Sequence, residues 1–262
     1  MTPTRGFTAL RATLLLVFAA YFFVPLLAMF DFSTQRRGSA EGRTWDNWQL
    51  MISDEDLRSS ILASLLLALF TVVLMVALLV PTMVWVRLRV PGARRLIEFL
   101  CLLPLTIPAL VIVVGISNVY SWVTYLLGDS PLVLTFAYVV LVLPYSYRAI
   151  DSALSAIDVA TLAEAARSLG AGWPTVILRI VMPNITGGIL GAAFISVALV
   201  MGEYVFASLL HFDTLPVAMA ALNKSDTPAA MAAALASMIF VVLLLMALTL
   251  LSRDRHKQGA SS

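Results

Sequence analysis

Charged residues are scarce in this chain of 262 residues. Aspartate, glutamate, lysine and arginine together make up 12% of it, whereas a soluble domain usually carries about 25%. Hydrophobic residues make up 61% and are gathered in long runs. The formal net charge of +2 is too small for a nucleic-acid-binding surface, so we expect no nucleic-acid partner. The composition predicts a protein dissolved in a lipid bilayer rather than in water.

Cysteine and histidine are almost absent. The one cysteine, Cys101, excludes an internal disulfide and any cysteine-based metal cluster. The two histidines, His211 and His256, lie far apart in the sequence and form no ligand pair. We therefore expect no metal site in this chain.

Nucleotide-binding and hydrolase motifs are missing as well. The sequence contains no G-x-x-x-x-G-K-[ST], and neither of its two lysines, Lys224 and Lys257, follows a glycine-rich turn. H-E-x-x-H and G-x-S-x-G are also absent, so the chain is not expected to be an enzyme or to bind a cofactor itself. If the protein moves a solute actively, the energy has to come from an ion gradient or from another subunit.

Six apolar segments are long enough to cross a bilayer. A spanning helix needs about 20 mostly apolar residues, because the hydrocarbon core is about 30 Å thick. The first run follows two arginines, as a signal peptide does, but it is longer than a typical signal sequence and lacks a clear cleavage site. We predict an all-α polytopic protein, a single transmembrane domain over residues 1–262, with spans at about 10–30, 59–86, 96–119, 131–149, 184–210 and 229–251.

The distribution of basic residues predicts the orientation of these spans. The segment between the second and third spans carries four arginines from Arg87 to Arg95 and no acidic residue. With both termini inside, the inner segments hold 12 of the 17 basic residues and the outer segments hold 5. Because arginine and lysine are enriched on the cytoplasmic side of membrane proteins, both termini are predicted to be cytoplasmic.

The first outer loop, residues 31–57, combines two tryptophans with a run of acidic residues. We interpret Trp45 and Trp48 as an interfacial anchor, and Ser53 or Asp54 as the N-cap of the second span. Docking of an external partner on this loop is the alternative interpretation.

Proline and glycine interrupt the third and fifth spans. Pro104 and Pro108 lie within the third, where each removes a backbone donor and tends to kink the helix. A broken helix is tolerated at membrane depth where it packs in protein or lines a cavity. In the fifth span, Gly187, Gly188 and Gly191 allow helix backbones to approach closely.

Residues 150–183 form the longest predicted cytoplasmic segment. Apolar residues recur in it at helical spacing with charged residues between them, which predicts a short amphipathic helix. Asp158 lies at its start, where a carboxylate can cap the unpaired backbone amides. Gly170 is expected to end this helix, since glycine takes the left-handed conformation without a steric penalty. Trp173 then begins a second short helix that leads into the fifth span.

At this point the sequence resembles a known family. The permease subunits of bacterial ABC importers carry the cytoplasmic pattern E-A-A-x3-G-x9-I-x-L-P between their fourth and fifth spans. Met182 stands where the pattern has leucine, a change that conserves volume. The other positions keep the spacing, at Glu164, Ala165, Ala166, Gly170, Ile180 and Pro183. The resemblance implies a type I ABC importer permease of the bacterial plasma (inner) membrane.

The resemblance also implies partners. In the family, this segment forms a coupling helix that lies in a groove of a cytoplasmic nucleotide-binding ATPase dimer, and ATP with Mg²⁺ is bound by that dimer. A second permease subunit, either a related chain or a copy of this one, and an external substrate-binding protein complete the importer.

The same resemblance assigns roles within the segment. By position, Ala165 and Ala166 would offer a low-profile packing face, and Gly170 would provide the turn. Glu164 would make polar contacts within the loop or with the ATPase. A purely structural alternative is an ion pair between Glu164 and Arg167, three residues apart on one helix.

One charged residue, Glu203, lies well inside a predicted span. A carboxylate at membrane depth is costly, and it indicates a functional site. It either lines the translocation pathway, where it would attract a cation, or it holds another helix or the second permease. Tyr204 follows it, and further polar and aromatic candidates for the pathway lie near the outer end of the third span, at Asn118, Tyr120, Trp122 and Tyr125.

Over most of its length the chain looks most like the spermidine/putrescine branch of these permeases. The similarity rests on the size of the first outer loop with its Trp45 and Trp48, and on the closing pair Arg253 and Asp254. A polyamine substrate would suit an acidic residue at Glu203. A Gly-Glu-aromatic sequence also occurs in permeases for sulfate, molybdate, thiamine, iron and phosphonates, so these substrates stay as alternatives.

An ATP-independent secondary transporter or channel is the other class of function to consider. Such a protein is expected to show inverted repeats, or several ionisable residues at membrane depth for ion coupling. The sequence shows one such residue, Glu203, and no convincing repeat. These features favour the ATP-driven importer.

Overall fold

The computed structural model describes residues 5–36 and 42–259, and their regular secondary structure is helical apart from one isolated bridge between Gln35 and Arg43. The helices are α1 (Arg5–Ser33), α2 (Asp46–Ser53), α3 (Glu55–Arg89), α4 (Arg94–Leu102), α5 (Ala109–Leu127), α6 (Thr135–Ser155), α7 (Val159–Ser168), α8 (Trp173–Asn184), α9 (Thr186–Gly202), α10 (Val205–Leu209), α11 (Leu215–Ser225) and α12 (Thr227–Gly259). Short 3₁₀ turns cover Pro91–Ala93, Leu103–Thr106 and Pro131–Leu134.

Within the described ranges, five stretches of helix are long and apolar enough to cross a membrane. A sixth candidate is the pair α8 and α9, which passes the same test together but is bent by 80°. The all-α polytopic architecture predicted from the sequence is therefore confirmed. The five continuous candidates are Leu10–Ser33, Glu55–Arg89, Ala109–Leu127, Pro131–Ser155 and Thr227–Leu244.

The third span lies further along the chain than we predicted. The apolar stretch 96–119 is not one helix, because α4 ends at Leu102 and α5 begins at Ala109. Proline pushes the residue before it out of the helical region, and Ile107, before Pro108, is extended with φ −110° and ψ 124°. The prolines therefore break the helix rather than kink it, and the spanning helix is α5.

The predicted fifth span, 184–210, is also interrupted. α9 ends at Gly202, and the short helix α10 does not begin until Val205. At the other end, Ile185 separates α8 from α9 at the 80° bend. Glu203 thus lies at a break between two helices. The sequence had predicted that it lies inside one continuous helix.

The internal contacts of the chain group into two compact units. One comprises Met1–Arg58 and Ala218–Phe240, and the other comprises Ser59–Val217 and Val241–Ser262. The second unit contains the whole segment 150–183 and the break at Glu203.

In the first unit, hydrogen bonds fold the loop after α1 back onto the end of that helix. Buried Asn47 donates from Nδ2 to the backbone carbonyls of Ser33 and Gln35, both at 2.8 Å. Trp48 donates from Nε1 to Ser33 Oγ at 3.2 Å. One of the two predicted anchor tryptophans is thus also part of the loop's internal structure.

The start of α3 is capped by Asp54, whose Oδ1 accepts a hydrogen bond from Leu57 N at 2.9 Å. Of the two N-caps that the sequence allowed, Asp54 is therefore the one used, whereas Ser53 ends α2. In the same unit, the apolar part of the candidate span Leu10–Ser33 is not buried, and most of its leucine and phenylalanine side chains are exposed. Such a surface is stable in lipid, because a helix satisfies its own backbone groups.

In the second unit, α6 and α9 share the most extensive packing. Gly188 makes their approach possible, because a Cβ there would overlap Ala153 Cβ and lie 2.9 Å from the carbonyl oxygen of Ala149. Further along, the hydroxyls of Ser146 and Ser196 share a buried hydrogen bond of 3.1 Å. Small residues and buried hydroxyl pairs are what hold helices together where no hydrophobic driving force exists between them.

Arginine side chains connect the last turn of α3 and the first residue of α4 to the last turns of α6. Arg87 donates to Asp151 Oδ1 at 2.6 Å and to Ser155 Oγ at 2.8 Å. Arg94 forms an ion pair with the same carboxylate at 3.2 Å, and Asp151 raises the pKa of Arg94. Only 16% of the Arg87 side chain and 17% of the Asp151 side chain are exposed, so this pair is shielded from water and stronger than a surface pair.

The close contact at Gly188 gives a test of the fold. We expect Gly188→Ala to destabilise the protein by about 1–3 kcal/mol, the usual cost of overpacking a well-filled interface. Gly187→Ala is the matched control, because a Cβ at Gly187 would meet nothing within 4 Å. Thermal unfolding of the detergent-purified chain measures both. Equal melting temperatures for the two variants would contradict the packing of α6 against α9.

Candidate functional site

The segment 150–183 folds as two short helices, α7 and α8, joined by a tight turn. Asp158 is the N-cap of α7, and its carboxylate accepts hydrogen bonds from Thr161 Oγ1 at 2.7 Å and from Thr161 N at 3.1 Å. These bonds, chiefly the one from the hydroxyl, lower the pKa of Asp158 because they favour its charged form. The predicted cap is therefore confirmed, and a negative charge lies at the positive end of the α7 dipole.

The turn after α7 depends on Gly170, which has φ +86°. Its amide donates to the carbonyl of Arg167 at 3.0 Å, and the amide of Ala171 donates to the carbonyl of Ala166 at 3.1 Å. These two bonds make a Schellman motif. A Cβ at Gly170 would meet nothing within 4 Å, so the backbone conformation, and not lack of space, is what requires glycine here.

The two faces of α7 differ in character. Val159, Ala163 and Ala166 are buried and belong to the core of the unit, whereas Ala165 is exposed on the opposite side. The expectation that Ala165 and Ala166 form one packing face is therefore wrong, because neighbouring residues of an α-helix point about 100° apart. Ala166 holds α7 in place, and Ala165 belongs to its outward face.

An exposed leucine, to which the sequence assigned no functional role, directly follows α7 and extends its outward face. Leu169 is 89% exposed, beside Gly170 at the tip of the segment. It follows Ala165 by one helical turn, and Glu164 is exposed next to them. The signal in the sequence that could have identified it is a leucine directly before the glycine that ends the helix.

Glu164 makes no ion pair with Arg167 in the part of the chain that the structure describes. The guanidinium of Arg167 instead lies over the ring of Trp173, with Cζ 5.1 Å from the ring centroid. It also donates to the carbonyl of Ala171 at 3.3 Å. The structural alternative for Glu164 is therefore not formed, and its carboxylate stays exposed.

α8 connects this turn to α9 through a bend. Its middle, Val176–Val181, is π-helical, and Ile180 packs against the core of the unit. Pro183 is exposed in the last turn, and its carbonyl accepts a hydrogen bond from Thr186 Oγ1 at 2.8 Å across the break at Ile185. Ile180 and Pro183 thus lie where the segment turns by 80° into α9.

Glu203 caps α10. Its Oε1 accepts a hydrogen bond from Phe206 N at 3.0 Å, and its backbone carbonyl lies 3.5 Å from the hydroxyl of Tyr138, which donates to it. Tyr138 is fully buried and packs edge-to-face against Phe206, with ring centroids 6.0 Å apart. The Glu203 side chain is half-buried, and Tyr204 beside it is exposed. The carboxylate therefore has a local structural role at this break, and both roles considered from the sequence stay predictions.

The pathway candidates on α5 separate into two groups. Tyr120 is buried, and its hydroxyl donates to the carbonyl of Val133 at 3.1 Å and accepts from Ala137 N at 3.0 Å. It supports the junction before α6 and does not line an open surface, contrary to our prediction. The other three are exposed and share one face of α5, at Asn118, Trp122 and Tyr125.

A groove of about 610 Å³ opens where α4 breaks before α5. The sequence analysis did not identify its lining, although the helix break at Pro104 and Pro108 was a signal, since broken helices often line cavities. Its one charged lining residue, Arg148, is paired with Glu98 at 3.0 Å. The lining residues are Leu102, Leu105, Thr106, Pro144, Tyr145, Arg148, Ala149 and Ile195.

Comparisons with known proteins agree with this architecture. The chain is 25% identical over 256 residues to the spermidine/putrescine transport system permease protein PotC of Haemophilus influenzae, over 94% of this chain and 98% of that one. Its fold is similar to the crystal structure of a bacterial ABC transporter involved in the import of the acidic polysaccharide alginate, with a TM-score of 0.63 and 16% identity over 94% of each chain.

The profile of the family described as binding-protein-dependent transport system inner membrane component matches residues 83–258. This range includes the end of α3, the whole segment 150–183 and the break at Glu203. With its membrane-spanning helices, the chain is a multi-pass inner-membrane protein. It belongs to the family of binding-protein-dependent transport system inner membrane components, the permease subunits of ABC importers.

Proposed function

We propose that this chain forms one half of a translocation pathway and couples it, through α7, to a separate cytoplasmic ATPase dimer. A second permease subunit and an external substrate-binding protein complete the complex. The observation that carries the proposal is the outward face of α7, a helix that is fixed at both ends. Glu164 and Ala165 are exposed on it, and Leu169 is exposed directly after its last residue. We call residues 150–183 the coupling loop.

The coupling loop suits docking because it is rigid and presents an apolar group outside the membrane spans. The cap at Asp158 and the turn at Gly170 hold α7 in one conformation, so little entropy is lost on binding. Burial of Leu169 in a partner would remove an exposed apolar side chain from water. Glu164, which has no ion-pair partner within the described residues, offers a charge to a basic group of the ATPase.

The position of the arginine-rich segment supports a cytoplasmic location for the coupling loop and both termini. Arg87 and Arg94 bond to Asp151 at the start of the loop, so the segment 87–95 and the loop lie on the same side of the membrane. Arginine-rich short loops are characteristic of the cytoplasmic side. ATP and Mg²⁺ would be bound by the partner, since this chain contains no phosphate-binding loop.

We further propose that the transported solute is a polyamine. Support comes from the similarity to a relative named as a spermidine/putrescine permease, and from the half-buried carboxylate of Glu203 at the break before α10. A carboxylate attracts an amine cation, and exposed aromatic rings such as those of Tyr204 and Trp122 can bind one through their faces. Asn118 would add a polar group to the same pathway.

The turn at Gly170 gives a test of coupling. Gly170→Asp is expected to abolish substrate-stimulated ATP hydrolysis and transport, because a non-glycine residue at φ +86° is strained and the Schellman turn would open. Gly172→Asp is the matched control, since Gly172 has φ −75° and precedes α8, where aspartate is a good N-cap. Both activities are measured in the assembled complex in proteoliposomes. Equal activities of the two variants would contradict the coupling role of the loop.

The outward face of α7 gives a test of ATPase docking. Leu169→Gln is expected to weaken binding of the purified ATPase to the permease at least about tenfold, as loss of a buried apolar anchor does, and Glu164→Lys is expected to weaken it in a salt-dependent manner. The melting temperature of the permease should not change, because both side chains are exposed. Leu178→Gln is the control, since it alters a leucine that is 60% exposed on α8. Unchanged ATPase binding by Leu169→Gln would remove α7 as the docking helix.

Glu203 gives a test of the substrate. Glu203→Gln removes the charge but keeps an oxygen that can accept the hydrogen bond from Phe206 N. We expect spermidine uptake by the complex to fall at least about tenfold, while the melting temperature changes little. Glu203→Ala should lower both, because the cap of α10 is lost as well. Normal spermidine uptake by Glu203→Gln would exclude the carboxylate as a cation-attracting group.

A further inference from the structure

Three segments of the chain meet in a cluster of two tryptophans and two arginines, which we call the Arg–Trp cluster (Trp85, Arg89, Arg167 and Trp173). Trp85 and Arg89 lie one turn apart at the end of α3, Arg167 lies in the last turn of α7, and Trp173 begins α8. The two indole rings meet edge-to-face, with centroids 5.7 Å apart.

Trp173 receives a guanidinium group from each of two helices. The Cζ of Arg89 lies 5.0 Å from the centroid of the Trp173 ring and 5.8 Å from that of Trp85. Arg167 approaches the Trp173 ring at 5.1 Å. Arg89 makes no ion pair within the described residues, so these two rings are its contacts.

The neighbouring arginine of α3 makes a contact of different chemistry. Arg87 is bonded to Asp151 and Ser155, at the end of α6, through short and directional hydrogen bonds. A cation over an aromatic face is held by a broad electrostatic attraction instead, so it can follow a small displacement of the ring without breaking. The end of α3 is thus held by directional hydrogen bonds at the start of the coupling loop. At the middle of the loop it is held by a cation–π contact that tolerates a small displacement.

We propose that the Arg–Trp cluster transmits movement of the coupling loop to α3. This inference rests on the proposed docking of α7 to the ATPase. When the ATPase displaces α7, Arg167 and Trp173 move with it, and Arg89 carries the displacement to α3. Arg89 and Trp173 are therefore positioning residues, which act through α3 and do not touch the solute.

The experiment measures how the two elements move together, independently of any solute. Spin labels are placed at Leu78→Cys on α3 and at Ser168→Cys on α7, both exposed, in a background where Cys101 is replaced by serine. Their separation is measured in the complete complex with the ATPase, first free of nucleotide and then trapped with ATP and vanadate. In the unaltered cluster we expect the separation to stay within about 2 Å between the two states, the scale on which packed helices shift.

Arg89→Gln should uncouple the two elements. We expect the label separation to change by about 5 Å on trapping, with a broader distribution, because α7 then moves without α3. Arg89→Lys should behave as the unaltered protein, since lysine keeps a cation near the rings. Arg95→Gln is the control for loss of charge, because Arg95 is exposed and makes no bond among the described residues.

Two results would overturn the inference, and they are distinguishable from each other. If the ATPase binds and is trapped but Arg89→Gln leaves the label separation as in the unaltered protein, the cluster does not transmit movement. If no ATPase binds to the unaltered permease, the proposed function itself fails, and this inference fails with it. In the first case, a lower melting temperature of Arg89→Gln would show that the role of Arg89 is merely structural, because the nucleotide response of the labels is unchanged.

Discussion

Gly188 and Ala153 hold the two ends of the coupling loop at contact distance. Ala149 and Ala153 lie in the last turns of α6, where the loop begins, and Gly188 lies in the first turn of α9, where the loop has ended. The loop therefore forms a hairpin between α6 and α9, and these two helices, its stems, are in contact at its base. A side chain at Gly188 would force these stems apart, and the positions of α7 and α8 would change with them.

The same pinning explains how the loop can act as a rigid body. The cap at Asp158, the turn at Gly170 and the bend at Ile185 each fix one junction by hydrogen bonds. In the proposed function, a displacement of the outward face of α7 would therefore reach α9 through the bend, α6 through the base and α3 through the arginines. The residues that make these contacts belong to the compact unit that also contains Glu203.

Breaks in helices mark Glu203 and the groove beside Pro104 in that unit. In a bilayer every backbone polar group has to be satisfied within the protein, so an interrupted span needs a local partner for the freed groups. At Glu203 the carboxylate supplies it, by accepting from Phe206 N. At Pro104 and Pro108 the prolines reduce the need, because they have no amide hydrogen, and the break opens the groove lined by Thr106 and Tyr145.

The sequence by itself determined what depends on neighbouring residues. Apolar runs predicted spanning helices, and Asp54, Asp158 and Gly170 predicted two caps and a turn that the structure contains, because capping and positive φ are local properties. It misjudged the extent of the third and fifth spans, since the effect of prolines and of a glutamate cap on a long apolar run depends on the packing around them. It also placed Ala165 and Ala166 on one face, an error that strict helical geometry would have prevented.

Only the tertiary structure decided which distant residues meet. Tyr120 is equally compatible in sequence with an open pathway and with a buried core. Its hydroxyl is held in the core by Val133 O of the 131–134 turn, to which it donates, and by Ala137 N of α6, from which it accepts. Nothing local indicates that Gly188 faces Ala153 or that Arg89 lies over Trp173. These contacts follow from the relative rotation and bending of whole helices, which the sum of many packing contacts sets and no short stretch of sequence encodes.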